Sequence, residues 1–119
     1  MTRRFNTSVR ASGFEPYPFP DEDILEGRPN SRVHWLRTEK DGSQIVGIYR
    51  CEPAVIRYVW AADETIHVLE GSVRIEFDGG DSLDLAVGDI ASFTAGDRGV
   101  WRIKEPFCEL FVLTASTDR

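Results

Sequence analysis

The chain has 119 residues, 41% hydrophobic and 29% charged, which suits one domain large enough to bury a core without staples. Its net charge of −6 argues against nucleic acid or an anionic membrane as a partner, since both reward basic patches. Met1-Thr-Arg-Arg-Phe5 is basic, but no apolar run follows it; neither a signal peptide nor a transmembrane span is expected, and a cytoplasmic protein is.

Residues 1–30 form a Pro- and aromatic-rich arm. Four of the six prolines fall between positions 16 and 29, which disfavours regular structure there. Phe14, Tyr17 and Phe19 interleave with those prolines, so the arm is expected to pack on the domain or on a neighbouring subunit. Asp21 is placed to cap one short helical turn.

From residue 31 to 119 the pattern is strand and turn. Short strands are expected at Val33–Leu36, Gln44–Arg50 and Ala54–Trp60. Around Glu64 the chain reads as a hairpin: Glu64, Ile66 and Val68 share one face of a strand, while Thr65, His67 and Leu69 take the other. Gly71 supplies the positive φ that a tight turn commonly needs. In the return strand Val73, Ile75 and Phe77 alternate with Ser72, Arg74 and Glu76. Further strands are expected at Leu83–Leu85, Ile90–Phe93, Val100–Lys104 and Phe107–Leu113. Strands at this spacing, with no helical period, predict an all-β sandwich or barrel.

Cys51 and Cys108 are the only cysteines, and without a secretory signal they read as reduced, partly buried small residues. Two cysteines and two histidines, scattered as they are, do not compose a zinc site. No Ser or His stands in a recognisable nucleophile motif.

Glu64 with Gly71 seven residues on, the Val-Leu-Glu-Gly turn, Gly88-Asp89 and Thr94-Ala-Gly96 resemble the two sequence motifs of the cupin superfamily. Gly47-Ile-Tyr-Arg-Cys51, Asp63-Glu64 and Gly99-Val-Trp101 narrow the resemblance to small single-domain cupins related to the cupin domain of ureidoglycine aminohydrolase. It runs from about Ile24 to the C-terminus. The resemblance implies a double-stranded β-helix barrel of the jelly-roll kind, whose metal-dependent members hold a divalent cation with three histidines and a glutamate. Carried over, Glu64 takes the glutamate position, the first two histidines fall at Arg57 and Val59, and the third falls at Gly99. One carboxylate cannot hold a transition metal, so no metal and no other cofactor is expected. His67 lies at odd spacing from Glu64 and faces the other way, and His34 is remote.

An inward carboxylate in an apolar barrel needs a partner. Arg57, at a former ligand position, is expected to pair with Glu64 in the barrel mouth, either as a purely architectural bridge or to bind a small anionic or amide-bearing ligand through its forked donors. Trp101 shares an inward face with Gly99 and Ile103, and Tyr49 is expected to line the same pocket. Tyr58 and Trp60, on the opposite face from Arg57, suit a sheet-to-sheet or dimer contact. The expected function is binding of a small polar or anionic metabolite by Arg57, Glu64, Trp101 and Tyr49 in a homodimeric, non-catalytic or sensor-like domain. The alternative is an enzyme resembling ureidoglycine aminohydrolase, acting on a nitrogenous or carboxylated metabolite with Glu64 as its catalytic group.

Overall fold

A computed structural model of the chain describes residues 3–114. The N-terminal part supplies β1 (Glu15–Pro16), a 3-10 turn at Asp21–Asp23 and β2 (Ile24–Gly27). There follow β3 (Arg32–Thr38), β4 (Gln44–Cys51), β5 (Ala54–Val59) and β6 (Asp63–Glu70). The chain closes with β7 (Ser72–Phe77), β8 (Ser82–Ala86), β9 (Ile90–Phe93), β10 (Arg98–Ile103) and β11 (Phe107–Thr114). One sheet has the order β1-β3-β4-β11-β6-β9 and the other β2-β5-β10-β7-β8. All pairings are antiparallel, and the two sheets face each other as the expected all-β, cupin-like barrel. Among the described residues no helix is long and apolar enough to cross a membrane.

Local chemistry explains the elements. In β7, Val73 and Ile75 are buried while Arg74 is exposed, the period-two pattern of a strand with one face on a core. Gly71 joins β6 to β7 with φ of +75°, and a Cβ there would run into the carbonyl oxygen of Pro106. Two later turns are clasped alike: the Asp89 carboxylate accepts from the Ala86 N–H at 2.8 Å, and that of Asp97 from the Thr94 N–H at 3.0 Å. The core centres on Trp60, Ile66, Val68, Ile75 and Phe107, each at most 1% exposed.

The arm is more ordered than its prolines suggest. β1 pairs with the edge strand β3, and β2 pairs with β5, so residues 15–27 pass from one sheet to the other. Pro16 is tolerated because β1 is an outermost strand, where a missing N–H breaks no ladder. The segment before β1 lies on the outer face of the six-stranded sheet. There Arg50 donates to the Val9 carbonyl, and Phe14 packs against the His34 ring at 5.6 Å. Ile48 and Cys108 are buried on that same face.

Candidate functional site

Between the sheets lies a cavity of about 70 Å³, room for about five water molecules. Strand alternation selects its lining. The six-stranded sheet presents Val33 and Trp35 from β3, Tyr49 from β4, Glu64 from β6, and Glu109 and Phe111 from β11. The opposite wall is Ile56 and Tyr58 of β5 with Trp101 and Ile103 of β10. Tyr17 and Phe19 of the arm close the side toward solvent. Tyr17 makes an edge contact with Trp35 at 5.8 Å, and Phe19 meets Tyr49 and Tyr58 at 6.2 Å each.

Two carboxyls face this apolar space. Glu64 is 7% exposed and accepts a hydrogen bond from the Trp60 indole N–H at 2.9 Å. Burial pushes its pKa up to about 7, and the Trp60 hydrogen bond opposes that rise. Trp60 can hold the carboxyl because the rings of Phe93 and Phe77, stacked at 4.5 and 5.9 Å, fix its indole. Glu109 is 4% exposed, and its Oε1 has no hydrogen-bond partner among the described residues. Burial, and then the charge of Glu64, drive its pKa well above the usual carboxylate range. Among the described residues no lysine, arginine or histidine lines the cavity. Both shifts favour the protonated forms, so at neutral pH the pair shares at least one proton.

Another lining residue carries a second buried, unpartnered polar atom. The Trp101 indole Nε1 is buried and likewise lacks a partner. Tyr49, in contrast, is satisfied: its hydroxyl lies 2.6 Å from Ser31 Oγ. Cys51 and Cys108 are free, as expected, and buried, and desolvation raises their thiols to about 12 and about 11. Both stay protonated, which leaves neither as a nucleophile.

The structure thus brings Glu64, Trp101 and Tyr49 into one cavity but leaves Arg57 out. Arg57 points outward, half exposed, with its guanidinium 3.8 Å from Asp78, and no Arg57–Glu64 pair forms. Val59 is outward too, at 50% exposed. The inward residues of this segment are Ile56, Tyr58 and Trp60, one position out of step with the carried-over histidines. The physical reason is desolvation: burying a guanidinium costs far more than burying two aromatic rings, whose N–H and apolar surface find partners inside. Tyr58 and Trp60 accordingly belong to the interior of this barrel rather than to a contact between copies. Glu109 was missed altogether, although its strand carries the signal. In Phe107-Cys-Glu-Leu-Phe111 it shares parity with two buried phenylalanines.

The donor set does not suit the divalent metal of the histidine-bearing cupins. The inward motif positions carry Tyr58, Trp60, Glu64 and Gly99, and one oxygen of Glu64 is already taken by an N–H. Among the described residues no three His, Cys, Asp or Glu side chains gather as a metal site would require. His67 lies on the face opposite Glu64, as its spacing predicts.

Comparison with solved structures agrees with the fold. The ethanolamine utilization protein Q of Salmonella typhimurium superposes with a TM-score of 0.66 at 19% identity, over 88% of this chain and 96% of that one. A protein of unknown function from Pseudomonas syringae superposes with a TM-score of 0.79 at 20% identity, over 88% of this chain and 46% of that one. Ectoine synthase of P. lautus gives 0.64 at 17% identity, over 78% and 69%. No curated protein sequence matches the chain. The model of the EutQ-like cupin domain matches residues 38–109, which hold every cavity residue named above except Tyr17, Phe19, Val33, Trp35, Phe111 and the Ser31 partner of Tyr49. That match spans more than half of the sequence, and the chain belongs to the EutQ-like cupin domain family.

Proposed function

We propose that the barrel is a metal-free binding chamber for a small polar metabolite, with Glu64, Glu109 and Trp101 as its hydrogen-bonding groups. Tyr49, Tyr58 and the arm residues Tyr17 and Phe19 serve as its walls. The observation that carries this reading is a pair of orphans on two residues that line one cavity: Trp101 Nε1 and Glu109 Oε1 are both buried, and neither has a partner among the described residues. Buried polar atoms are rarely left unsatisfied, and a guest with one acceptor and one donor would satisfy both. The absence of a basic group from the lining turns the ligand preference away from the anion that an inward Arg57 would have favoured. Homodimer formation belongs to the same proposal and is checked by light scattering. The test of the chamber is a thermal-shift screen of ureides, amino acids, amines and small organic acids, with hits titrated against Trp101→Phe. Losing the indole N–H is expected to weaken a true hit roughly tenfold, or about 1.4 kcal/mol. Unchanged affinity for every hit would remove the reading.

A second reading is catalytic: a small-molecule enzyme resembling ureidoglycine aminohydrolase. The observation in its favour is two buried carboxyls, Glu64 and Glu109, on one cavity, both pushed toward the protonated form, so that one can serve as acid while the other serves as base. Turnover of a bound hit, followed by NMR and abolished in Glu64→Gln while binding persists, separates this reading from a purely binding role.

A further inference from the structure

Resting on the chamber reading, we infer that the site selects a small organic cation that also carries an acceptor oxygen, an amino alcohol in its simplest form. The ammonium lies against Glu64 and Glu109, and the oxygen accepts from the Trp101 indole N–H. Three features of the cavity point the same way. Its two carboxyls have no base beside them among the described lining residues, so wherever one of them ionises an anion meets a like charge and a neutral guest leaves that charge uncompensated. Its walls are aromatic, and ring faces attract a cation most strongly where water is excluded. Its unpartnered Trp101 Nε1 donates and cannot accept, so a bare ammonium would leave that N–H still orphaned.

Size narrows the class further. A cavity of about 70 Å³ admits a guest of roughly four or five heavy atoms unless the arm shifts. The titratable groups facing Glu64 are Glu109 from β11, Tyr49 from β4, Tyr58 from β5 and Tyr17 from the arm, with Cys51 beyond Tyr49. All of them are acids, so nothing in the wall competes as counter-charge. A cation prefers the ionised form of Glu64, and its arrival expels a proton wherever that carboxyl is still protonated.

Three probes of nearly equal size isolate charge: ethanolamine, ethylene glycol and glycolate, titrated into the full chain and followed at the indole N–H resonances by NMR. The Trp101 signal is assigned with Trp101→Phe. Ethanolamine is expected to bind and shift the Trp101 indole proton, with affinity roughly tenfold higher at about pH 8 than at about pH 6. Ethylene glycol and glycolate are expected to bind at least tenfold more weakly, and Glu64→Gln to weaken ethanolamine roughly tenfold. If that variant fails to fold, the comparison of ligands and of pH on the wild type still decides. Equal or tighter binding of the glycol or glycolate overturns the cation preference while leaving the chamber standing. Binding of none of the three also overturns it, and a broad screen equally empty would remove the chamber as well.

Discussion

Arg57 and Tyr58 are neighbours in sequence, and which of them faces inward decides the chemistry of the barrel. With Tyr58 and Trp60 inside, Glu64 is held by an indole N–H instead of a guanidinium, and its charge is left uncompensated. Among the described residues Arg57 then pairs only with Asp78, at 3.8 Å between two half-exposed side chains, and such surface pairs contribute little. Arg57→Met is therefore expected to change stability by less than about 0.5 kcal/mol and to leave ligand binding intact, as read from urea melts and titrations of a confirmed hit. A large loss of affinity in that variant would restore the inward placement. Glu64, Trp101 and Tyr49 were legible because alternation fixed their parity. Glu109 was equally legible by that rule, lying between Phe107 and Phe111, but an acid in an apolar strand invites the reading of an exposed residue.

Strand boundaries followed the period-two pattern closely. The expected Ser72–Phe77 and Ile90–Phe93 are the observed β7 and β9, and the other expected strands differ by a residue or two at their ends. The face of β5 was another matter. Ala54-Val-Ile-Arg-Tyr-Val59 has apolar residues at both parities, so pattern alone leaves its orientation open, and motif counting filled the gap one residue wrongly. β1 and β2 were invisible for a different reason: each exists only because a sheet edge is there to receive it. The Glu70–Gly71 turn gives this scale its prediction. A side chain at Gly71 meets both a left-handed φ and the Pro106 carbonyl, so Gly71→Ala is expected to destabilise by about 2–4 kcal/mol in denaturant unfolding. A cost below about 1 kcal/mol on the same measurement, roughly the glycine-to-alanine background, would show that the turn yields easily.

Across the whole molecule the acid pair makes stability depend on pH in an unusual direction. An unfolded glutamate releases its proton near 4.5, whereas Glu64 holds its own to about 7 and burial pushes Glu109 well above the usual range too. Between those values the folded state binds more protons than the unfolded one, so stability falls as pH rises. Glu64 alone is expected to cost on the order of 2–3 kcal/mol between about pH 5 and about pH 8, visible as a falling melting temperature. Glu109→Gln should flatten that decline, and a profile rising over the same range would contradict the assignment of buried acids. The acidic surface adds to this slope only weakly, because its ion pairs, such as Arg74 with Asp84, are exposed and screened.

The passage of residues 15–27 from one sheet to the other has a mechanical consequence. Sandwiches breathe by letting their two layers drift apart at an open rim. Here that rim is hooped: one stretch of chain is hydrogen-bonded to β3 at one end and to β5 at the other, with Tyr17 and Phe19 in between. Opening the mouth there therefore means drawing on the slack of that stretch or releasing one of its two pairings.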